Sequence, residues 1–322
     1  MCRFALLALS VWLLGVEVLL AAPRFVIDDE EYVDRVVHAS ARLLKEGRLK
    51  SVSVLRQQVR PCNSAIKLSP PVRQKLPAPD LCDRLRKSTL AVGNYYKCPD
   101  CPEWHFNSSA GFVVGEGGVV ATCCHVVTAE EEGVKESYLV AADDTGEVYP
   151  VESVLAADPE ADTCFVKIDA PLKPLPLRPD VRTGERVYCL SHPGGYFYMF
   201  TQGTVARLNR KRNEMFDEHG RTNGILTRPI LLLNVTSEFA PGSSGAPVTD
   251  EAGNVVGQVA SIADAGEPEM GSTNAPPSPS VPIRFCTAAE EILRLTAPAV
   301  RAGNKVALTN APAPRPKPRP PH

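Results

Sequence analysis

Three things are scarce in this 322-residue chain, and each scarcity excludes something. An excess of one charge is missing: 35 Lys and Arg stand against 37 Asp and Glu, a formal net charge of -2. With no overall basic field, nucleic acid is not expected as a partner. Long apolar runs are missing after residue 22, so no later segment is long and apolar enough to span a bilayer as a helix. Internal repeats are missing, which sets aside a repeat architecture. Helix-period patterns in the middle of the chain are short, and 22 Gly and 30 Pro punctuate it, so the core is expected to be all-β.

What is present begins with an apolar stretch. Arg3 precedes residues 4–20, and Ala21-Ala22 follow, the layout of a secretory signal peptide over residues 1–22. Glu17 inside the run and Pro23 after it leave the cleavage position open, with an uncleaved N-terminal anchor as the alternative. The expected location is outside the cytosol, periplasmic or secreted, with no stable membrane insertion once the signal is removed. Of ten cysteines, nine remain without Cys2. In an exported protein some of these are expected to pair, although the sequence does not say which, and the odd count leaves at least one free thiol. Cys164, inside a strand pattern, reads as a small buried apolar residue.

Residues 28–49 read as an amphipathic helix with acidic residues at its start, and a shorter helical stretch follows near 54–59. A proline-bearing connector over 61–80 and one or two helical turns over 81–88 complete a helical N-terminal extension, residues 23–84. From Thr89 the pattern changes to short strands in two sets, 89–168 and 186–262, separated by the proline-rich stretch 170–177. Glu116-Gly-Gly and Glu251-Ala-Gly-Asn read as hairpin turns between strands. Two sets at regular spacing predict an all-β fold of two packed antiparallel β-barrels, residues 85–175 and 176–296. Residues 265–279 read as a mobile loop, 287–295 as a short closing helix capped by Thr287, and 297–322 as a disordered Pro-rich tail.

The segment 240–247 (Ala-Pro-Gly-Ser-Ser-Gly-Ala-Pro) sets a serine among glycines just after a strand-forming run. Glycine allows a sharp turn whose N–H groups face a reacting oxygen. A serine nucleophile also needs a base, and the base needs an orienting group. His125 stands at the end of a strand pattern after a hairpin, and Asp162 leads directly into the strand pattern 163–168. Singly, these residues read as a core histidine, a strand-start aspartate and a turn serine; together they read as His125, Asp162 and Ser244 of one catalytic constellation. His38, His105 and His219 lack comparable contexts and read as surface residues, and His192-Pro-Gly-Gly reads as a turn.

These motifs resemble the trypsin-like (chymotrypsin-fold) serine peptidases, most of all their compact bacterial branch near the HtrA-type proteases. The small-Gly-Phe strand and the Thr-x-x-His-Val-Val run match at 110–114 and 122–127, and Asp162 heads the apolar strand 163–168. Gly-x-Ser-Gly-x-Pro matches at 242–247, and the opening of a second barrel matches at 186–195 and 201–205. The resemblance covers about residues 85–295. It implies an exported serine endopeptidase that acts on protein or peptide substrates through an acyl-enzyme and needs no cofactor. Ser244 would attack the scissile carbonyl, His125 would carry the proton, and Asp162 would hold the imidazole. The N–H groups of Gly242 and Ser244 would bind the oxyanion. It also implies a substrate pocket lined by Glu238, Phe239 and Val259. Glu238 would select a basic side chain if it faced the pocket; Phe239 and Val259 would select a small or apolar one, and the balance favours apolar.

The chain departs from the pattern in four places. Ser243 stands where digestive relatives carry the aspartate that pairs with a newly cut N-terminus, so that zymogen switch is not expected. Ala246 replaces a second glycine, Thr163-Cys164 follows Asp162, and no PDZ-sized domain is expected after Leu295. Two other function classes compete: a catalytically silent peptidase-fold protein that binds peptides or proteins, and a Cys-rich metal-binding protein built on Cys98-Pro-Asp-Cys101. No second C-x-x-C accompanies that motif, and the adjacent Cys123 and Cys124 make a poor tetrahedral pair. Disulfide or inert thiols are therefore expected there in preference to metal. The oligomeric state has no signature in the sequence.

Overall fold

The computed structural model describes residues 24–129, 133–212, 214–216, 222–264 and 281–296. The expected signal peptide, the loop 265–279 and the tail from 297 onward lie outside these residues.

The N-terminal part is helical for local reasons. Asp28, in an extended conformation, accepts the Glu31 N–H at 3.0 Å and starts α1 (Asp29–Lys45). Acidic residues fill its first turn, and Arg42 and Lys45 its last, each complementing the helix dipole. The buried stripe of Tyr32, Val36 and Leu43 packs on the first β-sheet. Two short helices follow, α2 (Val52–Arg56) and α3 (Ala78–Arg86). Proline within the first turn of α3 removes only a donor that would have lacked a partner. Leu81 and Leu85 anchor its buried face.

The first strand set is β1 (Thr89–Lys97), β2 (Trp104–Gly115), β3 (Val119–Thr122), β4 (Ser137–Ala142), β5 (Val148–Pro150), β6 (Ser153–Asp158) and β7 (Thr163–Lys167), with α4 (Cys124–Thr128) after β3. The strands form one antiparallel sheet in the order β5-β4-β1-β2-β3-β7-β6. This unit is a half-barrel and is not closed by pairing of β5 with β6. The N-terminal extension explains why an open edge is tolerated. Cys62 pairs with Ala157 of β6 through two backbone hydrogen bonds of 3.0 Å, covering an edge that would otherwise present free N–H and C=O groups. The 61–80 stretch is thus a strap, since Val72 and Leu76 also bond to Asn254 and Glu251 of the second unit.

The second set is β8 (Arg186–Ser191), β9 (Met199–Lys211), a separate hairpin of β10 (Glu214–Phe216) and β11 (Thr222–Ile225), then β12 (Ile230–Val235), β13 (Pro247–Thr249), β14 (Val255–Asp264) and β15 (Pro282–Ala288). Six of them close a barrel, β12-β15-β14-β13-β8-β9. The architecture is mostly β, a half-barrel beside a closed six-stranded barrel, as expected of a chymotrypsin-like fold. The end of the chain departs from the expectation. Thr287 is a residue of β15, held between β12 and β14, and does not cap a helix. Helix α5 (Ala289–Arg294) starts two residues later, with Ala288 at its N-cap and no side-chain cap bond. Pairing on both sides of β15 outweighs the local preference of Thr287 for a cap.

Each unit has its own apolar interior, with Leu90, Val92, Val113, Val120 and Val166 in the first and Val187, Leu233, Val235, Val248 and Val256 in the second. The expectation of disulfides is corrected: the nine cysteines of the described residues are all free. Five are buried, and three of those thiols donate to backbone carbonyls. Burial pushes the Cys189 thiol up to about 12, so it packs as a small neutral apolar group.

Candidate active site

The chain leaves the sheet at Cys123, and His125 lies in the first turn of α4 instead of at the end of the strand itself. There one carboxylate grips it twice. Asp162 Oδ1 accepts the His125 backbone N–H at 3.0 Å, and Oδ2 lies 2.6 Å from the ring Nδ1. A carboxylate can only accept, so Nδ1 carries the proton and Nε2 keeps its lone pair. The imidazole is half exposed.

Asp162 adopts φ 51, a left-handed conformation that aspartate tolerates better than most residues. The turn that holds it there is built from both units. Asp158 Oδ1 accepts the N–H groups of Glu160 and Ala161, both at 3.1 Å. From the closed barrel, Thr227 donates to Glu160 through its N–H (3.0 Å) and its hydroxyl (2.9 Å). Thr287 Oγ1 donates to the Ala161 carbonyl at 2.9 Å, and Gln258 Nε2 reaches the Asp162 carbonyl at 3.5 Å. Arg228 pairs with Asp158 and, at 2.5 Å, with the almost fully buried Glu291, which also accepts the Leu231 N–H at 2.8 Å. Sequence reasoning found none of these supporting residues. The one local signal is the acidic density of Asp158-Pro-Glu-Ala-Asp162, which needs donors from elsewhere.

The Ser244 turn depends on its glycines. Gly242 and Gly245 have φ of 92 and 87, where a side chain is strained. The turn closes through Ser243 N–H to Ala240 O (3.0 Å), Ala246 N–H to Ser243 O (3.0 Å) and Gly245 N–H to Val259 O (2.9 Å). Among the described residues, the N–H groups of Gly242 and Ser244 donate to no acceptor. The Ser244 carbonyl accepts Ala110 N–H at 2.8 Å, and the Ala110 carbonyl accepts Thr122 Oγ1 at 2.8 Å. Thr122 lies three residues before His125, and Cys123 Sγ donates to the same Val259 carbonyl that holds Gly245. The serine turn and the histidine helix therefore hang from one short hydrogen-bond ladder.

Cys123 is the other reactive group here, its sulfur within 4.8 Å of the ligand atoms of His125 and Asp162. Burial first, and then the Asp162 charge, push its thiol well up. It stays a protonated thiol behind the ring and offers no thiolate.

The expected pocket residues separate. Phe239 and Val259 are buried together in the closed barrel, whereas Glu238 is exposed and only its carbonyl is engaged, by Thr201 Oγ1 at 2.8 Å. The charged group beside Phe239 is Arg284, 5.9 Å over its ring. His192 is more than a turn residue. It is fully buried, Nδ1 accepts the Tyr198 N–H at 3.1 Å, and burial lowers its pKa to about 4. His38 is exposed, and His219 lies outside the described residues.

Residues 109–257 match the family model of the trypsin-like peptidase domain. The chain is 27% identical over 156 residues to Protease Do-like 1, chloroplastic, of Arabidopsis thaliana, which covers 47% of this chain and 32% of that protein. It is 32% identical over 155 residues to Serine protease HTRA1B of Danio rerio, 47% of this chain and 29% of that protein. It is 27% identical over 152 residues to a probable periplasmic serine endoprotease, DegP-like, of Pseudomonas fluorescens, 46% of this chain and 28% of that protein. The chain spans about a third of the length of these relatives. Over residues 109–257 the chain is similar to the trypsin-like peptidase domain, and over about half of its length it is similar to the HtrA-type serine proteases.

Proposed function

We propose that this chain is an exported serine endopeptidase that hydrolyses peptide bonds of protein or peptide substrates through Ser244, His125 and Asp162. The observation that carries the reading is the double grip of Asp162 on His125, with 2.6 Å between carboxylate and ring, beside a serine turn tied to the same strands. Asp162 fixes the tautomer, so Nε2 takes the Ser244 proton as Oγ attacks the scissile carbonyl. The oxyanion that forms is stabilised by the N–H groups of Gly242 and Ser244, the two donors of the turn without another acceptor among the described residues, at about 3 kcal/mol each. His125 then protonates the leaving amine, and water releases the acyl group by the same route. Exposure of Glu238 and the Arg284 cation near Phe239 favour a small or apolar substrate side chain over a basic one. Export is supported by the apolar N-terminal stretch and by the periplasmic description of the Pseudomonas relative.

The test incubates the full chain with an unfolded protein such as reduced casein and identifies the fragments by mass spectrometry. Wild type should cut it, and Ser244→Ala, with an unchanged melting temperature, should not. A folded wild-type protein that leaves casein intact, or a Ser244→Ala variant that still cuts it, overturns the reading.

A further inference from the structure

The tip of the β1–β2 hairpin carries a second cluster that peptide hydrolysis does not use. Cys98-Pro-Asp-Cys101 lies in the loop between these strands, whose register pairs Lys97 with Trp104 and Tyr96 with His105. Cys98 N–H donates to Glu103 O at 3.1 Å and closes the loop. The closure turns both sulfurs back toward the second residue of β2. Cys98 Sγ, Cys101 Sγ and one His105 ring nitrogen all lie within 4.8 Å of one another, and Cys101 Sγ is 3.2 Å from His105 Nε2. Tetrahedral zinc, with Zn–S of about 2.3 Å and Zn–N of about 2.0 Å, sets its ligand atoms about 3.5–3.8 Å apart. The three ligand atoms are therefore gathered within reach of one ion before it arrives. Both cysteines are half-buried and the histidine is exposed, so the site is within reach of solvent.

We propose that Cys98, Cys101 and His105 hold a zinc ion, with two thiolates, one imidazole through Nε2 and a fourth position open to water. The two thiol protons pass to solvent on binding, and the two thiolate charges neutralise the dication. The ion fastens the hairpin tip where Tyr95 stacks on Trp104 at 4.6 Å. The same strand β2 runs on to Ala110, whose N–H holds the Ser244 carbonyl, so the metal stiffens one end of a strand that supports the serine turn at the other. The sequence alone argued against metal for want of a second C-x-x-C. The third ligand is supplied by strand pairing, and by itself His105 reads as a surface residue.

The test measures zinc by elemental analysis in the full chain purified without chelator, and then replaces zinc with cobalt(II). About one equivalent of zinc is expected, with a thiolate-to-cobalt charge-transfer band and the intense visible bands of a tetrahedral site. The Cys98→Ser/Cys101→Ser double variant and His105→Ala should lose most of the metal, while Ser244→Ala keeps it. The cobalt spectrum of the wild type reports sulfur ligation without any substitution, so a variant that fails to fold does not leave the matter undecided. Wild-type protein that takes no metal from excess zinc overturns the proposal. So does a Cys98–Cys101 disulfide in freshly isolated protein, or a metal content unchanged in the double variant.

Discussion

At Asp162 a single carboxylate makes both contacts that fix His125, one to the backbone and one to the ring. Asp162→Asn keeps the shape but presents an amide that can donate to Nδ1, which reverses the useful tautomer. Steady-state kinetics should show kcat lowered about 10⁴-fold with little change in KM. His192 governs a different property. Its pKa of about 4 in the folded protein lies below the ordinary value near 6.5, because burial disfavours the cation. Between these values the unfolded chain binds the extra proton, so stability is complete above about pH 6.5 and falls as the pH drops toward 4, by about 3 kcal/mol in all. Urea titrations at a series of pH values should show this slope in wild type and a shallower one in His192→Gln. Chain order and motif spacing singled out His125, Asp162 and Ser244, and the contact of Asp162 with His125 was legible from them. The left-handed backbone of Asp162 and the buried, neutral His192 were not legible. The first is set by partners such as Gln258 and Thr287, 96 and 126 residues from the groups they hold, and the second by burial and the Tyr198 N–H.

Among the elements, the serine turn is the least tolerant. A Cβ at Gly245 would run into the Ala110 carbonyl and sit 2.6 Å from Thr122 Oγ1, in a backbone at φ +87. Gly117 also has positive φ, +73, but has nothing within 4 Å. Gly245→Ala should therefore abolish hydrolysis and lower the melting temperature sharply. Gly117→Ala should cost only the backbone strain of about 1–2 kcal/mol and leave hydrolysis intact. Differential scanning calorimetry beside the casein assay separates the two. Strands with strong apolar runs, such as β3 and β12, were readable from the residues. Strands β6 and β15 were not. Ser153–Asp158 shows no in-out alternation, with three half-buried residues followed by two buried ones, and the short Pro282–Ala288 run derives its structure from pairing on both flanks.

Across the whole molecule, Arg228 joins the two units by pairing with Asp158 of the half-barrel and Glu291 of the terminal helix. Arg228→Met removes the 2.5 Å partner of the buried Glu291 carboxylate, leaving it to Arg294 at 3.2 Å and the Leu231 N–H, and loosens the turn that carries Asp162. Equilibrium urea unfolding should show a loss of about 3 kcal/mol, the low end for a broken buried pair because Arg228 is partly exposed. Glu291→Gln in the same chain should restore part of it. The division into two strand sets was legible from the spacing of turns and the proline-rich stretch between them. The half-barrel's open edge and the strap that covers it were not, because Cys62 and Ala157 lie far apart in sequence and are paired by the tertiary fold. The most direct measurement of the central claim treats the full chain with diisopropyl fluorophosphate and maps the adduct by tandem mass spectrometry. A single phosphoryl adduct on Ser244 is expected, lost in His125→Ala; a folded protein that takes none, or takes it on Ser243, would contradict the claim.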